Sequence, residues 1–157
     1  MPDRRALQFS SMQAIADDVD QLLKSGYTSV GAWNLSQTCG HLDTWLRFSM
    51  DGYPTPRFPM NCLLWGMRVT MGRKQLNRII TRGFKPGTPT MPKTVPVADA
   101  VEDAVAAKAL LQTIARFESC TDAIHPSPLF GKLSKEEAEK LQRAHAALHL
   151  SFLLPNM

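Results

Sequence analysis

Apolar residues recur at helical spacing in five stretches of the chain, and nothing reads as a convincing strand pair. The first stretch starts at Ser10, which with Gln13 fits a capping box. Ile15, Val19, Leu22 and Leu23 form its stripe, and Gly26 is placed to end it in the left-handed conformation. The second starts near Asn34, with Gln37 three residues on. Leu35, Thr38, His41, Leu42, Trp45, Leu46 and Ser49 share one broad face, and Gly52-Tyr53-Pro54 stops it. The third begins around Pro59, a good first-turn residue, and holds Leu63, Leu64, Met67, Met71, Leu76, Ile79 and Ile80 before ending by Gly83. Gly66 and Gly72 weaken it, so a kink or break is expected there. The fourth starts at Asp99, with Glu102 at the third position, and packs through Val101, Val105, Leu110, Ile114 and Phe117. The fifth starts at Ser134, again a capping box with Glu137. Its stripe is Ala138, Leu141, His145, Leu148, His149 and Phe152.

Residues 83–96 join the third stretch to the fourth and hold four prolines. That connection is longer than compact domains normally use, and its prolines stiffen it toward an extended path. It suits a crossover spanning the length of a helical bundle, and equally a lid. Four main helices of about 15 to 20 residues would each be about 22 to 30 Å long, the right size for a bundle. With no internal repeat and no domain boundary, the expectation is an all-α fold with residues 1–157 in a single domain.

Composition adds little to this picture. A chain of 157 residues, 44% hydrophobic and 20% charged, can bury a real core. No apolar run approaches a membrane span, and Gln8, Ser10 and Ser11 interrupt any signal-peptide core. Cys39, Cys62 and Cys120 are sparse, odd in number and scattered, which argues for a reducing compartment; cytoplasm is the expectation, with no membrane partner. Cys39 itself reads as a small core residue.

Charge is more informative. Between Gly52 and Ala98 there are eight Lys/Arg and no Asp or Glu, within a net charge of +4. This is either a solvated basic face or a patch that attracts an anionic small molecule or a phosphate backbone. The segment lacks the aromatic interleaving of a single-strand platform and carries no groove-reading motif, so nucleic acid is not the expected partner. An exposed apolar face on the third helix, with Met60, Met67 and Met71, would permit a homodimer.

Three histidines lie on or beside these apolar faces. His145 and His149 are four apart, so their rings stack one above the other on a helix, and His41 lies in a second stripe. Neutral imidazole is the commonest protein metal ligand. Two such rings can converge on one ion at about 2.0–2.1 Å, and a third from another helix completes a face with open positions for water or substrate. The bland reading is three partly buried, hydrogen-bonded rings. Ala146 stands where a metalloprotease His-Glu-x-x-His motif would carry its glutamate, so that general base is missing and no catalytic residue is assigned. His125, in the turn His125-Pro126 to Leu133, reads as a capping or loop residue, or as a pocket residue near the site mouth.

The stretch Trp33-Asn34-Leu35-Ser36-Gln37-Thr38-Cys39-Gly40-His41-Leu42, the His125–Leu133 turn and the His145-x3-His149 helix together resemble the DinB-like (damage-inducible) superfamily of bacterial four-helix bundles, in an uncharacterised branch of it. The resemblance covers nearly the whole chain in helix order and spacing. It implies a four-helix bundle with an additional helix and a long proline-rich crossover, and one metal bound by His41, His145 and His149. Relatives include thiol-dependent transferases and isomerases.

The functional expectation is a metal-dependent enzyme, of thiol-transferase or hydrolase type, in which a divalent ion activates a low-molecular-weight thiol or water for attack on a small electrophile. Zinc and nickel both suit three imidazoles, and iron is a third candidate. Arg68, Arg73 and Lys74 are candidates for an anion-attracting rim, and Gln37 and His125 for pocket or supporting residues. The rival expectation is a helical binding module without catalysis, holding a structural ion or none.

Overall fold

Helix-capping chemistry at Asn34 and Ser134 sets the two elements that matter most here. Asn34 accepts the Gln37 N–H while the Gln37 side chain accepts the Asn34 N–H; Ser134 and Glu137 repeat the arrangement. The computed structural model describes residues 3–88, 90–97 and 101–157, apart from the side chain of Pro92. In chain order these form α1 (Met12–Ser25), β1 (Tyr27–Ser29), α2 (Leu35–Asp51), α3 (Met60–Arg82), a 3-10 turn (Pro92–Thr94), α4 (Asp103–Ser119), α5 (Lys135–Leu150) and β2 (Leu153–Pro155).

The protein is therefore mostly helical, as the periodicity implies, but a strand pair is present. Tyr27–Ser29 pairs antiparallel with Leu153–Pro155. Three residues a side is too short for alternation to show in the sequence. The pair matters because it ties the chain leaving α1 to the chain leaving α5, and Val30 N–H extends it by donating to Phe152 O at 2.9 Å.

Local corrections follow from the caps. Ser11, not Ser10, caps α1, its hydroxyl accepting from Ala14 N–H. Gly26 has the expected positive φ of 69°, but its ψ of 173° puts it in a region open essentially to glycine alone instead of the left-handed helical one. Asp99, read as the start of the fourth helix, lies outside the described residues; α4 begins at Asp103 behind Glu102, and Val101 and Val105 are exposed.

The core lies where α1, α2, α4 and α5 meet, with the broadest contact between α2 and α4. Ile15, Val19 and Leu22 of α1, Leu35, Cys39 and Leu46 of α2, Leu110, Ile114 and Phe117 of α4, and Ala146 and Leu150 of α5 are all buried in it. Each large apolar side chain contributes about 1.5–3 kcal/mol by leaving water. On α5 the buried line runs through Ala138, Gln142, Ala146 and Leu150, so His145 and His149 stand at its edge, half-buried.

Helix α3 departs most from expectation. It runs unbroken through Gly66 and Gly72, and packs along α5. Leu76 and Ile79 are buried, but Leu63, Met67 and Met71 are exposed, as is Trp65. Gly72 has a packing reason. A Cβ there would sit 2.9 Å from the Leu129 carbonyl oxygen, whereas a Cβ at Gly66 would meet nothing within 4 Å. Gly72→Ala is therefore expected to destabilise the fold by about 1–3 kcal/mol through overpacking, against a helix-propensity gain of at most about 1 kcal/mol. Gly66→Ala is expected to be stabilising by up to about 1 kcal/mol. Denaturant midpoints of the two variants check the pair, and equal shifts would remove the packing explanation. No helix among the described residues is long and apolar enough to cross a membrane.

Candidate metal centre

His41 enters the site from the buried face of α2, whose first turn is unusually well held. Ser36 N–H donates to Asp103 Oδ1 at 2.8 Å, Tyr27 Oη donates to Asp103 Oδ2 at 2.8 Å, and Leu35 N–H donates to Tyr27 Oη at 2.9 Å. Asp103 thus accepts at a helix N-terminus, where the exposed amides favour negative charge. The last turn of α5 is held from the other side. Arg5 makes a two-pronged ion pair with Asp18 (2.6 and 2.8 Å) and also donates to Leu150 O at 2.9 Å.

Between these anchored helices three imidazoles converge. One ligand nitrogen from each of His41, His145 and His149 lies within 4.8 Å of the others. His145 Nε2 is 3.1 Å from His41 Nε2 and 3.1 Å from His149 Nε2. Two nitrogens 3.1 Å apart, each about 2.0–2.1 Å from a common ion, subtend about 100°, which a four-coordinate ion accepts.

The protons decide what this cluster wants. His41 Nδ1 is 2.8 Å from the Thr94 carbonyl oxygen. A carbonyl only accepts, so Nδ1 carries the proton and Nε2 of the neutral ring presents a lone pair. One proton on His145 Nε2 can be given along only one of its two contacts, so hydrogen bonding alone leaves one contact unmade. A cation among the three nitrogens would be met by three lone pairs. The described residues therefore fit a divalent ion, and the group could hold one.

Burial keeps the rings neutral. Desolvation lowers the pKa of His41, opposed by the Thr94 carbonyl. Desolvation first, then the neighbouring rings, holds His145 well below the ordinary imidazole range. His149 is pushed down to about 3, again by desolvation and then by His41. All three rings are uncharged near neutrality, each keeping one N–H and one lone-pair nitrogen, the state a metal requires.

The surroundings are aromatic and uncharged. Trp33 stacks on His149 with centroids 5.0 Å apart and planes 13° from parallel. Trp45 meets His145 edge-on at 5.8 Å, and Phe84 lies 5.6 Å from His145. A cavity of about 120 Å³ opens beside His145 and His149, walled by Trp45, Tyr53, Phe84, Leu129, Phe130 and Leu148, and among the described residues no Lys, Arg, Asp or Glu lines it. An apolar cavity of about 150 Å³ accommodates benzene. Burial pushes the Tyr53 phenol up to about 12, so it remains a proton-bearing donor. Trp45 Nε1–H is shut off from solvent and has no acceptor among the described residues.

The other expected site residues lie elsewhere. Gln37 is occupied by its capping box. Arg73 pairs with Glu137 at 2.6 Å, Arg68 lies over Gly131, and Lys74 is exposed; none of the three lines the cavity. All three occupy exposed positions of α3. His125 is exposed, donates its backbone N–H to Ser49 O at 2.9 Å and packs beside Gly52, also outside the cavity. Cys39 is fully buried and its thiol is pushed up to about 12, by burial first and then by Asp103 and Asp43, as suits an inert core residue.

Three contributors escaped the sequence. The Thr94 carbonyl carries no sequence signal, since every residue has one. Tyr53 and Phe84 sit in breaker segments that periodicity does not read. Compared with curated proteins and with solved structures, the chain has no match. A family model described as "Protein of unknown function (DUF1569)" matches residues 1–156. With its whole helical core and all three histidines inside that match, the chain belongs to the DUF1569 family.

Proposed function

We propose that this chain is a cytoplasmic metal-dependent enzyme of the DinB-like superfamily, its helices forming that bundle with α3 as the additional helix. His41, His145 and His149 hold one divalent ion, zinc or nickel first and iron third. The observation that carries this is the convergence of three Nε2 atoms, with the His41 tautomer fixed by the Thr94 carbonyl. A carbonyl behind a ligating imidazole is the usual way its lone pair is aimed. Such an ion supplies Lewis acidity, bringing the pKa of a bound thiol or water toward neutrality.

The protein groups do the rest. Trp33, Trp45 and Phe84 exclude water from the rings, which strengthens polar interactions inside the cavity. The small, uncharged cavity suits the reacting end of a small electrophile. Tyr53, held neutral, is the donor available to charge developing on that electrophile, and Trp45 Nε1–H is a second donor without an acceptor.

Zinc- or nickel-loaded protein is the material for the test, with metal content measured on the same sample. Glutathione and cysteine, each paired with a chlorinated aromatic, a bimane and an epoxide, are expected to give turnover that chelation abolishes. A fully loaded protein silent across that panel, and silent with water as nucleophile on ester substrates, would sink the enzyme reading. The module holding a structural ion would then stand in its place.

A further inference from the structure

A basic concavity of the protein lies away from the histidines and away from Arg68, Arg73 and Lys74. A groove of about 520 Å³ runs between residues 4–9, the end of α3 and the outer face of α5. Among the described residues five cations line it, Arg4, Arg5, Arg82, Lys140 and Arg143, and no Asp or Glu does. Its volume falls within the range of small-molecule sites, whereas the histidine cavity is several times smaller.

The five are not equivalent. Arg5 is committed to Asp18 and to Leu150 O. Lys140 pairs with Glu136 at 2.6 Å, an exposed pair that water weakens. Arg143 donates to the Ser10 carbonyl and reaches Glu139 at 3.7 Å. Arg4 meets no carboxylate among the described residues: it touches Ser151 Oγ at 3.3 Å and lies over the Phe152 ring at 5.6 Å. Arg82 has no side-chain partner among the described residues and is exposed at the end of α3. Two guanidinium groups without counter-ions thus share one concave wall, where a field is focused instead of dispersed. Guanidinium is the side chain best matched to carboxylate or phosphate oxygens.

The groove borders the histidine cavity across a shared wall. Phe84 and Leu148 wall both spaces, and Phe84 lies 5.6 Å from His145. We propose that this groove is a binding site for a small anion bearing carboxylate or phosphate groups, held by Arg4 and Arg82 with Lys140 and Arg143 flanking. In one respect the inference rests on the metal-dependent reading: the anion would be the charged body of a co-substrate, with its uncharged end passing Phe84 and Leu148 toward the histidines. The anion site itself does not depend on a metal. It also answers a chemical need of the histidine cavity, which among the described residues has no charged side chain with which to hold an ionic thiol.

Calorimetric titration of metal-free protein at low salt, with pyrophosphate and separately with citrate, tests the site and tells phosphate from carboxylate. At least one of the two is expected to bind with one-to-one stoichiometry. The Arg4→Ala/Arg82→Ala double variant is expected to bind it at least tenfold more weakly with an unchanged melting midpoint. His145→Ala is expected to bind it as wild type does, so a failed metal centre leaves this result intact. Arg78→Ala, which changes an exposed α3 cation that does not line the groove, is the control for net charge. The inference is overturned if neither anion binds at millimolar concentration. It is equally overturned if the double variant binds like wild type, or if Arg78→Ala costs as much as the double variant.

Discussion

Replacing His145 with alanine is expected to strip the chain of bound divalent metal while leaving the fold in place. His145 is the ring within 3.1 Å of both others, so its loss leaves two nitrogens that share no short contact through it. Outer-shell partners of metal ligands are worth about 10- to 100-fold in affinity, and a ligand is worth at least as much. Wild type exposed to zinc or nickel and then desalted is expected to carry about one ion per chain, and His145→Ala a background amount. Thermal denaturation reads the same difference independently. An ion at about a hundredfold excess over its Kd stabilises the native state by about 2.7 kcal/mol, roughly 5–10 °C for a chain of this size. That increment should vanish in His145→Ala, His41→Ala and His149→Ala alike. Equal metal content in wild type and all three variants would end the metal reading. The substitution is tolerable to the fold because His145 is half-buried at the edge of the α5 core line, beside a cavity.

The metal-free protein is expected to lose stability as pH falls from about 6.5 toward 3, before general acid unfolding would account for it. Unfolded imidazoles take up protons near pH 6.5. In the folded state all three rings resist protonation, because charging them means charging desolvated groups that face one another; His149 holds out to about 3. Between those limits the unfolded chain binds more protons, so stability rises with pH. The stabilisation is complete above about 6.5 and drains away below it. Each tenfold loss of proton affinity on folding corresponds to about 1.4 kcal/mol, so the cluster as a whole is worth several kcal/mol across that window. Urea unfolding at pH 7 and at pH 4.5 checks this, with the triple alanine variant subtracting whatever the carboxylates contribute. Identical midpoints for metal-free wild type at the two pH values would contradict it. Zinc is expected to widen the loss, since protons and metal compete for the same lone pairs.

The two effects share one physical origin. Three rings placed where water cannot solvate their charged forms are poor bases toward protons and well-disposed ligands toward an ion. The aromatic walls provide that environment, and the walls come from separate parts of the chain. Trp33 reaches His149 because the β1–β2 pair brings the exit of α1 to the exit of α5. Phe84 meets His145 and the Thr94 carbonyl meets His41 from two separate points of the proline-rich connection. The connection thereby orients a ligand, a task that neither a bare crossover nor a lid requires.

How much of this could be read beforehand differs from element to element. The capping boxes at Asn34 and Ser134 were legible to the residue, since they are made within four positions of the chain. Those two boxes also fix where His41, His145 and His149 lie along their helices. Helix α3 was legible as a helix, but whether its apolar face is packed or exposed was not. Periodicity reports that a face is apolar, and Leu63, Met67 and Met71 are apolar yet exposed. Gly72 was misread as a weakness for the same reason: the Leu129 carbonyl that requires it is 57 residues away in the chain. The basic segment was legible as charge, but the cations that share a concavity and meet no carboxylate among the described residues are Arg82 from that segment and Arg4 from near the N-terminus.

By itself, then, the sequence determined what is local: five helices, the starts of α2 and α5, and three imidazoles at spacings that let two share an ion. The tertiary structure alone decided that the third ring comes within 3.1 Å of His145, that Thr94 sets its proton, and that among the described residues the cavity beside the histidines has no charged lining while its neighbour is basic. The reason is range. Hydrogen bonds along a helix and at its ends are fixed by residues a few positions apart. A ring's solvation, tautomer and field are fixed by whichever distant atoms the fold brings within a few ångströms of it.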